Sequence, residues 1–193
     1  LPFVQAAAFW ADLAGRDGVA ARALAFAILT AARTGEVIGA DWREVDLEGA
    51  VWTVPANRMK GGREHRVPLS GPAVALLRGL GPQLEGPVFA TERGALSNMA
   101  LLMTLRRMGR ADITAHGFRS TFRDWAAERT EFAREVAEAA LAHAIGDKVE
   151  AAYRRGDLFE KRRRLMDAWG TFCATPATER GAVIVLRSAR ETA

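Results

Sequence analysis

The chain has 193 residues, of which 49% are hydrophobic, so we expect a single domain with a sizeable core rather than a disordered chain. Its one cysteine, Cys173, excludes an internal disulfide framework and a cysteine-based zinc site and suits a reducing cytosol, and no apolar run reaches the length of a membrane span. The net charge of +4 is only weak evidence for a nucleic-acid partner, because many basic proteins have none.

The predicted elements of the first 70 residues change from helices to strands. Residues 3–32 predict two helices, because helix-favouring and apolar residues recur on both sides of a break at residues 15–18. A short helical turn follows Gly35. Residues 50–55 are rich in β-branched and aromatic side chains, residues 65–69 form a second short strand, and the turn-favouring residues between them predict a β-hairpin. The expected tip of this hairpin is basic and carries Arg58, Lys60 and Arg63.

The rest of the chain is predicted to be mainly helical. Helices are expected from Ser70 to about Gly79, from Ser97 to about Met108, and over most of residues 115–173, including one from 158 to 173. The expected fold is mostly α with a small antiparallel β-sheet (α+β), in a domain of residues 1–173. The tail of residues 174–193 contains one strand-like run at 182–186. We expect this run either to pair near the hairpin, within the chain or between molecules, or to be a disordered end.

The predicted helix at 116–129 has two different faces. His116, Arg119 and Arg123 share one face, whereas Phe118, Phe122 and Trp125 share the opposite face. The aromatic face must be buried, so a rigid element presents the basic face at a surface or in a cleft. A histidine and an arginine one turn apart can bind the same phosphate, but a solvated basic face is equally compatible with this pattern.

Other polar positions lie beside apolar helices. Arg33 directly follows a core-like helix, and Glu36 is placed to hold its guanidinium, either in a functional site or in an ordinary structural ion pair. His143 follows another apolar helix. Tyr153 is the only tyrosine of the chain and lies in a short predicted helix. A phenol attacks phosphorus when a base or nearby cations remove its proton, although a tyrosine at this position also fits a core residue.

In chain order these positions form a recognisable set: Arg33, Lys60, His116-x-x-Arg119, His143 and Tyr153. With the segments LTAARTGEVIGADW, RMKGGREHRVPLS, AHGFRSTFRDWAAE and LAHAIGDKVEAAYRRGDLFEKRRRLMDAW, the chain resembles the tyrosine recombinases of the phage-integrase family over about residues 20–173. The subgroup that it resembles is the integrases of temperate phages and genomic islands of bacteria. One departure is Gly39-Ala40-Asp41-Trp42, where the family often has Leu-x-Leu before the tryptophan. This difference is expected to affect core packing more than chemistry.

The resemblance implies site-specific DNA recombination by strand cleavage and rejoining. Tyr153 would attack a DNA phosphodiester, which gives a 3′-phosphotyrosyl enzyme and a free 5′-hydroxyl. The implied roles of the other residues are phosphate binding by Arg33, Arg119 and His143, protonation of the departing oxygen by Lys60, removal of the tyrosine proton by His116, and orientation of Arg33 by Glu36. Neither a metal nor another cofactor is expected, because the sequence lacks ligand clusters and a Walker motif.

The expected partner is double-stranded DNA in the bacterial cytoplasm, at the nucleoid, with a multimer on the DNA and no membrane association. Further backbone contacts are expected from Arg58, Arg63, Arg123 and Arg154, and the run of arginines from 154 to 164 also favours DNA. The N-terminal DNA-binding domains of a full-length integrase are expected to lie outside this chain. The alternatives are a type IB topoisomerase-like enzyme, a non-catalytic DNA-binding module of the same fold, and a helical interaction domain without a nucleic-acid partner.

Overall fold

Eight α-helices dominate the described part of the chain. The structure, a computed structural model, describes residues 1–92, 94–143 and 156–175. The helices are α1 (Ala6–Ala14), α2 (Val19–Thr30), α3 (Thr34–Ile38), α4 (Gly71–Arg78), α5 (Ala100–Arg107), α6 (Gly117–Arg129), α7 (Arg134–Ala140) and α8 (Phe159–Ala174).

Within the described residues, five short strands form two small antiparallel sheets. β1 (Val45–Asp46), β2 (Val51–Val54) and β3 (His65–Pro68) form one sheet in the order β1-β2-β3, and Trp52 lies opposite Val67. β4 (Ala90–Thr91) pairs with β5 (Gly94–Ala95). The β2–β3 hairpin was predicted, whereas β1, β4 and β5 were not. Two residues are too few to show the alternating pattern by which a strand is recognised.

The core is built around α2. Nine of its twelve residues are buried, namely Ala21 and every residue from Ala23 to Thr30. A helix that is apolar on all sides must be surrounded, and α1, α4, α5 and α8 pack against it. Phe26 joins it to the sheet, because its ring centroid lies 5.2 Å from that of Trp52. The Trp169 indole on α8 donates a hydrogen bond to the Ile28 carbonyl at 2.8 Å, which fixes the last helix against the end of α2.

The predicted fold class is confirmed: the described chain is mostly helical with small antiparallel sheets. The helix expected at 158–173 is α8, which ends one residue later at Ala174. The helix expected from Ser97 begins at Ala100, and its N-cap is Met99, so the prediction of a serine cap was wrong. The predicted helix around Tyr153 and the predicted strand at 182–186 lie outside the described residues.

Candidate active site

Arg33 lies in the junction between α2 and α3. The backbone leaves α2 through Ala31, whose φ of 50° is left-handed, and Arg33 is extended as the N-cap of α3. Glu36 is buried and contacts this arginine twice: one carboxylate oxygen accepts from the backbone N at 2.9 Å, and the other accepts from Nη1 at 2.7 Å. The contact expected between these two side chains is therefore present, and it fixes the direction of the guanidinium.

Arg119 lies on α6 and is almost fully buried, with 5% of its surface exposed. Its Nη1 donates to the Ala31 carbonyl at 2.5 Å, and its Nη2 donates to the Leu141 carbonyl at 2.6 Å. These carbonyls lie at the C-terminal ends of α2 and α7, where the helix dipole places partial negative charge. The fold therefore holds this buried cation with two helix ends.

The electrostatics of the site favour an anion. Burial, and then the positive charge of Arg33, lower the pKa of Arg119 to about 10, while the charge of Glu36 acts in the opposite direction. Arg119 remains charged at neutral pH, because this value is still well above 7. The carboxylate of Glu36 pairs with Arg33, whereas the guanidinium of Arg119 contacts carbonyls. The two arginines together therefore carry excess positive charge, which suits a phosphate.

His143 follows the end of α7 and contacts Arg119. Its Nε2 lies 3.2 Å from Arg119 Nη2, and its Nδ1 lies 2.6 Å from a carboxylate oxygen of Glu138. The sequence analysis missed Glu138. The signal that could have found it is the end of the helix: Ala142 has a left-handed φ of 49°, which turns the chain so that residue 143 lies beside residue 138. That signal was hidden because the usual residue at such a turn is glycine.

Two residues of the predicted catalytic set lie apart from this cluster. Lys60 is exposed in the loop between β2 and β3, and His116 is exposed at the N-cap of α6. Among the described residues, no side-chain hydrogen bond or ion pair joins either of them to Arg33, Arg119 or His143; His116 meets Arg119 only through its backbone carbonyl, which accepts from the Arg119 N–H at 3.0 Å. Tyr153 lies outside the described residues, so the structure brings together Arg33, Arg119 and His143 only.

Arg58 differs from the expectation of a DNA-facing hairpin tip. It lies in a 3₁₀ turn, and its side chain points inward, where it donates to the Glu36 carbonyl at 3.1 Å and pairs with Glu44 at 2.5 Å. A Cβ atom at Gly39 would lie 2.6 Å from Arg58 Nη1. Gly39, at the departure from the family pattern, thus provides the space for this inward arginine. The sequence analysis could not find this because residues 39 and 58 are far apart in the chain.

The other predicted DNA contacts have different surroundings. Arg63 is exposed in the β2–β3 loop. Arg123 is half-exposed, but its Nε lies 3.1 Å from Glu138, so its charge is partly compensated. Arg154 lies outside the described residues. Of the arginine run that was taken as a DNA signal, Arg162 is fully buried, and this part of the interpretation was wrong.

No group of three or more His, Cys, Asp or Glu side chains in residues 1–92, 94–143 and 156–175 is placed to hold a metal ion. Within the same ranges, no helix has both the length and the apolar character needed to cross a bilayer.

Comparisons with known proteins show the family of the chain. The phage integrase family matches residues 11–157 of the chain. Prophage integrase IntA of Escherichia coli (strain K12) is 33% identical over 164 residues, which cover 82% of this chain and 39% of that protein. The integrase of Shigella phage Sf6 is 32% identical over 179 residues, which cover 88% of this chain and 46% of that protein. The chain thus spans less than half the length of these relatives.

A solved structure supports the same fold. The integrase from mycobacterium phage Brujita superposes with a TM-score of 0.62 at 19% identity, over 80% of this chain and 53% of that one. At this identity the likeness concerns the fold alone. The family match covers far more than half of the chain, and the sequence relatives agree with it. The chain therefore belongs to the phage integrase family of tyrosine recombinases.

Proposed function

We propose that this chain is the catalytic part of a site-specific DNA integrase, which cleaves and rejoins DNA through a 3′-phosphotyrosyl intermediate. The observation that carries the proposal is the convergence of Arg33, Arg119 and His143 from three separate segments. Relatives that are named integrases support it. The substrate is double-stranded DNA, and the enzyme acts as a multimer at the nucleoid of a bacterial cytoplasm.

The arginine pair matches the charge that this reaction develops. Attack on a phosphodiester places additional negative charge on the non-bridging oxygens of phosphorus. Guanidinium groups bind such oxygens with two parallel hydrogen bonds, and donors fixed in advance typically contribute about 3–4 kcal/mol each to transition-state stabilisation. Arg33 is fixed by Glu36 and Arg119 by two helix ends, so neither has to reorganise during the reaction.

The remaining residues of the set form the covalent bond to DNA and transfer the protons. Tyr153 attacks phosphorus, His116 takes its proton, and Lys60 protonates the departing 5′-oxygen. Lys60 and His116 are exposed, so bound DNA is the element that completes the site with them.

The nucleophile is tested with a nicked suicide DNA substrate, which traps a covalent protein–DNA adduct. Tyr153→Phe removes the one phenol of the chain, so we expect the adduct to disappear while DNA binding in a shift assay persists. Denaturing gel electrophoresis measures the adduct. An adduct formed by the phenylalanine variant would refute the assignment.

A second arm of the assay separates an integrase from a topoisomerase-like enzyme. The trapped adduct is offered a second duplex with a free 5′-hydroxyl, and an integrase joins the two strands. Relaxation of supercoiled DNA without transfer between duplexes would favour the topoisomerase-like alternative. A wild-type chain that binds DNA but never forms an adduct would favour a non-catalytic module.

A further inference from the structure

Glu138 is connected to His143 through both its backbone and its side chain. At the end of α7 the His143 N–H donates to the Glu138 carbonyl at 3.0 Å, and the Ala142 N–H donates to the Ala139 carbonyl at 3.1 Å. This pair of bonds, with Ala142 left-handed, is a Schellman motif. In such motifs the first and last residues usually make a hydrophobic contact. Here the same positions hold a carboxylate and an imidazole, 2.6 Å apart.

The charge of Glu138 is well defined. Burial raises the pKa of this carboxyl, but the hydrogen bond with His143 and the charges of Arg123 and Arg134 outweigh burial and hold the pKa below its usual value. Arg123 Nε lies 3.1 Å and Arg134 Nε 3.8 Å from the carboxylate oxygen that does not face His143. Glu138 is therefore an anion at neutral pH, and an anionic carboxylate only accepts hydrogen bonds.

These contacts determine the tautomer of His143. Because the carboxylate of Glu138 accepts, Nδ1 of His143 carries a proton. On the other side, Arg119 has only donors, so Nε2 at 3.2 Å from Nη2 presents its lone pair. The two contacts are satisfied together by the neutral Nδ1–H form alone.

We propose that Glu138 is a positioning residue of the active site, which fixes the ring and the Nδ1–H tautomer of His143 so that Nε2 faces Arg119 and a phosphate bound there. This inference rests on the proposed function. It adds a residue of α7 to the cluster. Glu36 then orients Arg33, and Glu138 orients His143.

The arrangement has a consequence when a phosphate binds. Phosphate oxygens are acceptors, so Nε2 donates to one of them only after it has gained a proton from solvent. The resulting imidazolium keeps its Nδ1–H bond to Glu138, whose negative charge lies on the ring side opposite the phosphate.

The tautomer is tested without DNA, by long-range ¹H–¹⁵N NMR spectra of the folded chain, with the His143 signals assigned from a His143→Gln variant. We expect the Nδ1–H form in the wild type and in Glu138→Gln, whose amide oxygen still accepts. We expect a mixture of tautomers in Glu138→Leu. A wild-type His143 in the Nε2–H form, or a Glu138→Leu spectrum unchanged from wild type, would overturn the inference.

The functional arm measures the rate of adduct formation on the suicide substrate. Glu138→Leu is expected to lower this rate about 10- to 100-fold, the usual cost of removing the outer partner that orients a ligand histidine. Adding the same change to a His143→Gln chain should cost little more, because Glu138 acts through that ring. The matched control is Glu128→Leu, which removes an exposed carboxylate of α6 and is expected to cleave at the wild-type rate.

The two arms separate the possible failures. Equal losses from Glu138→Leu in the wild-type and His143→Gln backgrounds would show that this residue is merely structural. If Glu138→Leu does not fold, the wild-type tautomer and the Glu138→Gln rate decide the question. If the wild type forms no adduct, the proposed function fails, while the NMR arm still decides whether Glu138 sets the tautomer.

Discussion

Two alanines in the left-handed region end the helices that support the site. Ala31 has φ 50° after α2, and Ala142 has φ 49° after α7. A left-handed conformation costs an L-residue roughly 1–2 kcal/mol, and glycine avoids that cost. Both turns direct their neighbours toward Arg119, since the Ala31 carbonyl and the Leu141 carbonyl accept from its guanidinium. Local strain at two residues is therefore part of how the buried cation is held.

Replacement of Ala142 by glycine should stabilise the fold. The variant keeps the Schellman turn and relieves the left-handed alanine, so we expect the free energy of unfolding to rise by about 1 kcal/mol. Urea denaturation followed by circular dichroism measures the change. The matched control is Ala139→Gly inside α7, where the same substitution should destabilise by about 1 kcal/mol. If the glycine substitutions at Ala142 and at Ala139 both destabilise the fold, the left-handed conformation of Ala142 is not strained.

At the scale of elements, the start of α8 is tied to the sheet through a buried arginine. Arg162 is 1% exposed and donates to the Asp157 carbonyl at 2.7 Å, to the Asp157 carboxylate at 2.7 Å and to the Arg66 carbonyl of β3 at 2.6 Å. Asp157 also caps α8, because it accepts from the Phe159 N–H at 3.1 Å. The Phe159 ring lies under the Arg66 guanidinium, 4.0 Å from it. Helix and strand thus share one polar anchor.

Removal of this arginine should be costly. Arg162→Met keeps an unbranched apolar side chain but removes the buried donor to the Asp157 and Arg66 carbonyls, while the half-exposed Asp157 carboxylate keeps its ion pair with Arg66, so we expect a loss of about 1–3 kcal/mol of stability. Arg164→Met is the control, since it makes the same change at an exposed position of the same helix and should lie within about 0.5 kcal/mol of wild type. Thermal or urea unfolding reports both values. Equal stability of the two variants would show that the anchor contributes nothing.

This anchor also shows where sequence patterns stop being informative. The spacing of Leu165, Trp169 and Phe172 was enough to predict α8, because helical periodicity is a local property. The burial of Arg162 depends on its hydrogen bond to the Arg66 carbonyl, which lies on β3 and is 96 residues away in the chain. A charged residue in a basic run is normally exposed, so the pattern favoured a DNA contact where the fold buries a structural ion pair.

At the scale of the whole molecule, the order of elements and the fold class followed from local composition, and the family resemblance predicted one shared site, of which the structure brings Arg33, Arg119 and His143 together. The distances within that site did not follow from it. Arg119 was expected on a basic face at a surface or in a cleft, and the structure buries it against the ends of α2 and α7. Glu138 was invisible for the same reason: its role depends on a left-handed turn that contains no glycine. Helix periodicity indicates which face of a helix is buried, but it does not indicate which carbonyl, distant in the chain, accepts a hydrogen bond from a side chain on that face.

A half-buried histidine couples the stability of the whole molecule to pH. His65 on β3 contacts the Ala140 carbonyl through Nε2 at 3.3 Å, which joins the sheet to the end of α7. Burial, followed by the charge of Arg162, lowers the pKa of His65 to about 4, although the hydrogen bond to Ala140 opposes this shift. The folded chain therefore holds this ring neutral at pH values where the unfolded chain protonates it.

Acid should therefore weaken the fold between about pH 6.5 and pH 4. The pKa of His65 is lower in the folded than in the unfolded chain, so its stabilising contribution is complete above the unfolded value and is lost as the pH falls toward the folded one. One pKa unit corresponds to about 1.4 kcal/mol, which gives a total loss of about 3 kcal/mol. Urea denaturation across this range measures it in the wild type and in His65→Gln, whose decline with acid should be shallower. Carboxylates titrate in both chains, so the difference between the two curves isolates His65. His116→Gln, at an exposed histidine, should follow the wild-type curve, and parallel curves for the wild type and His65→Gln would exclude His65 as the acid-sensitive group.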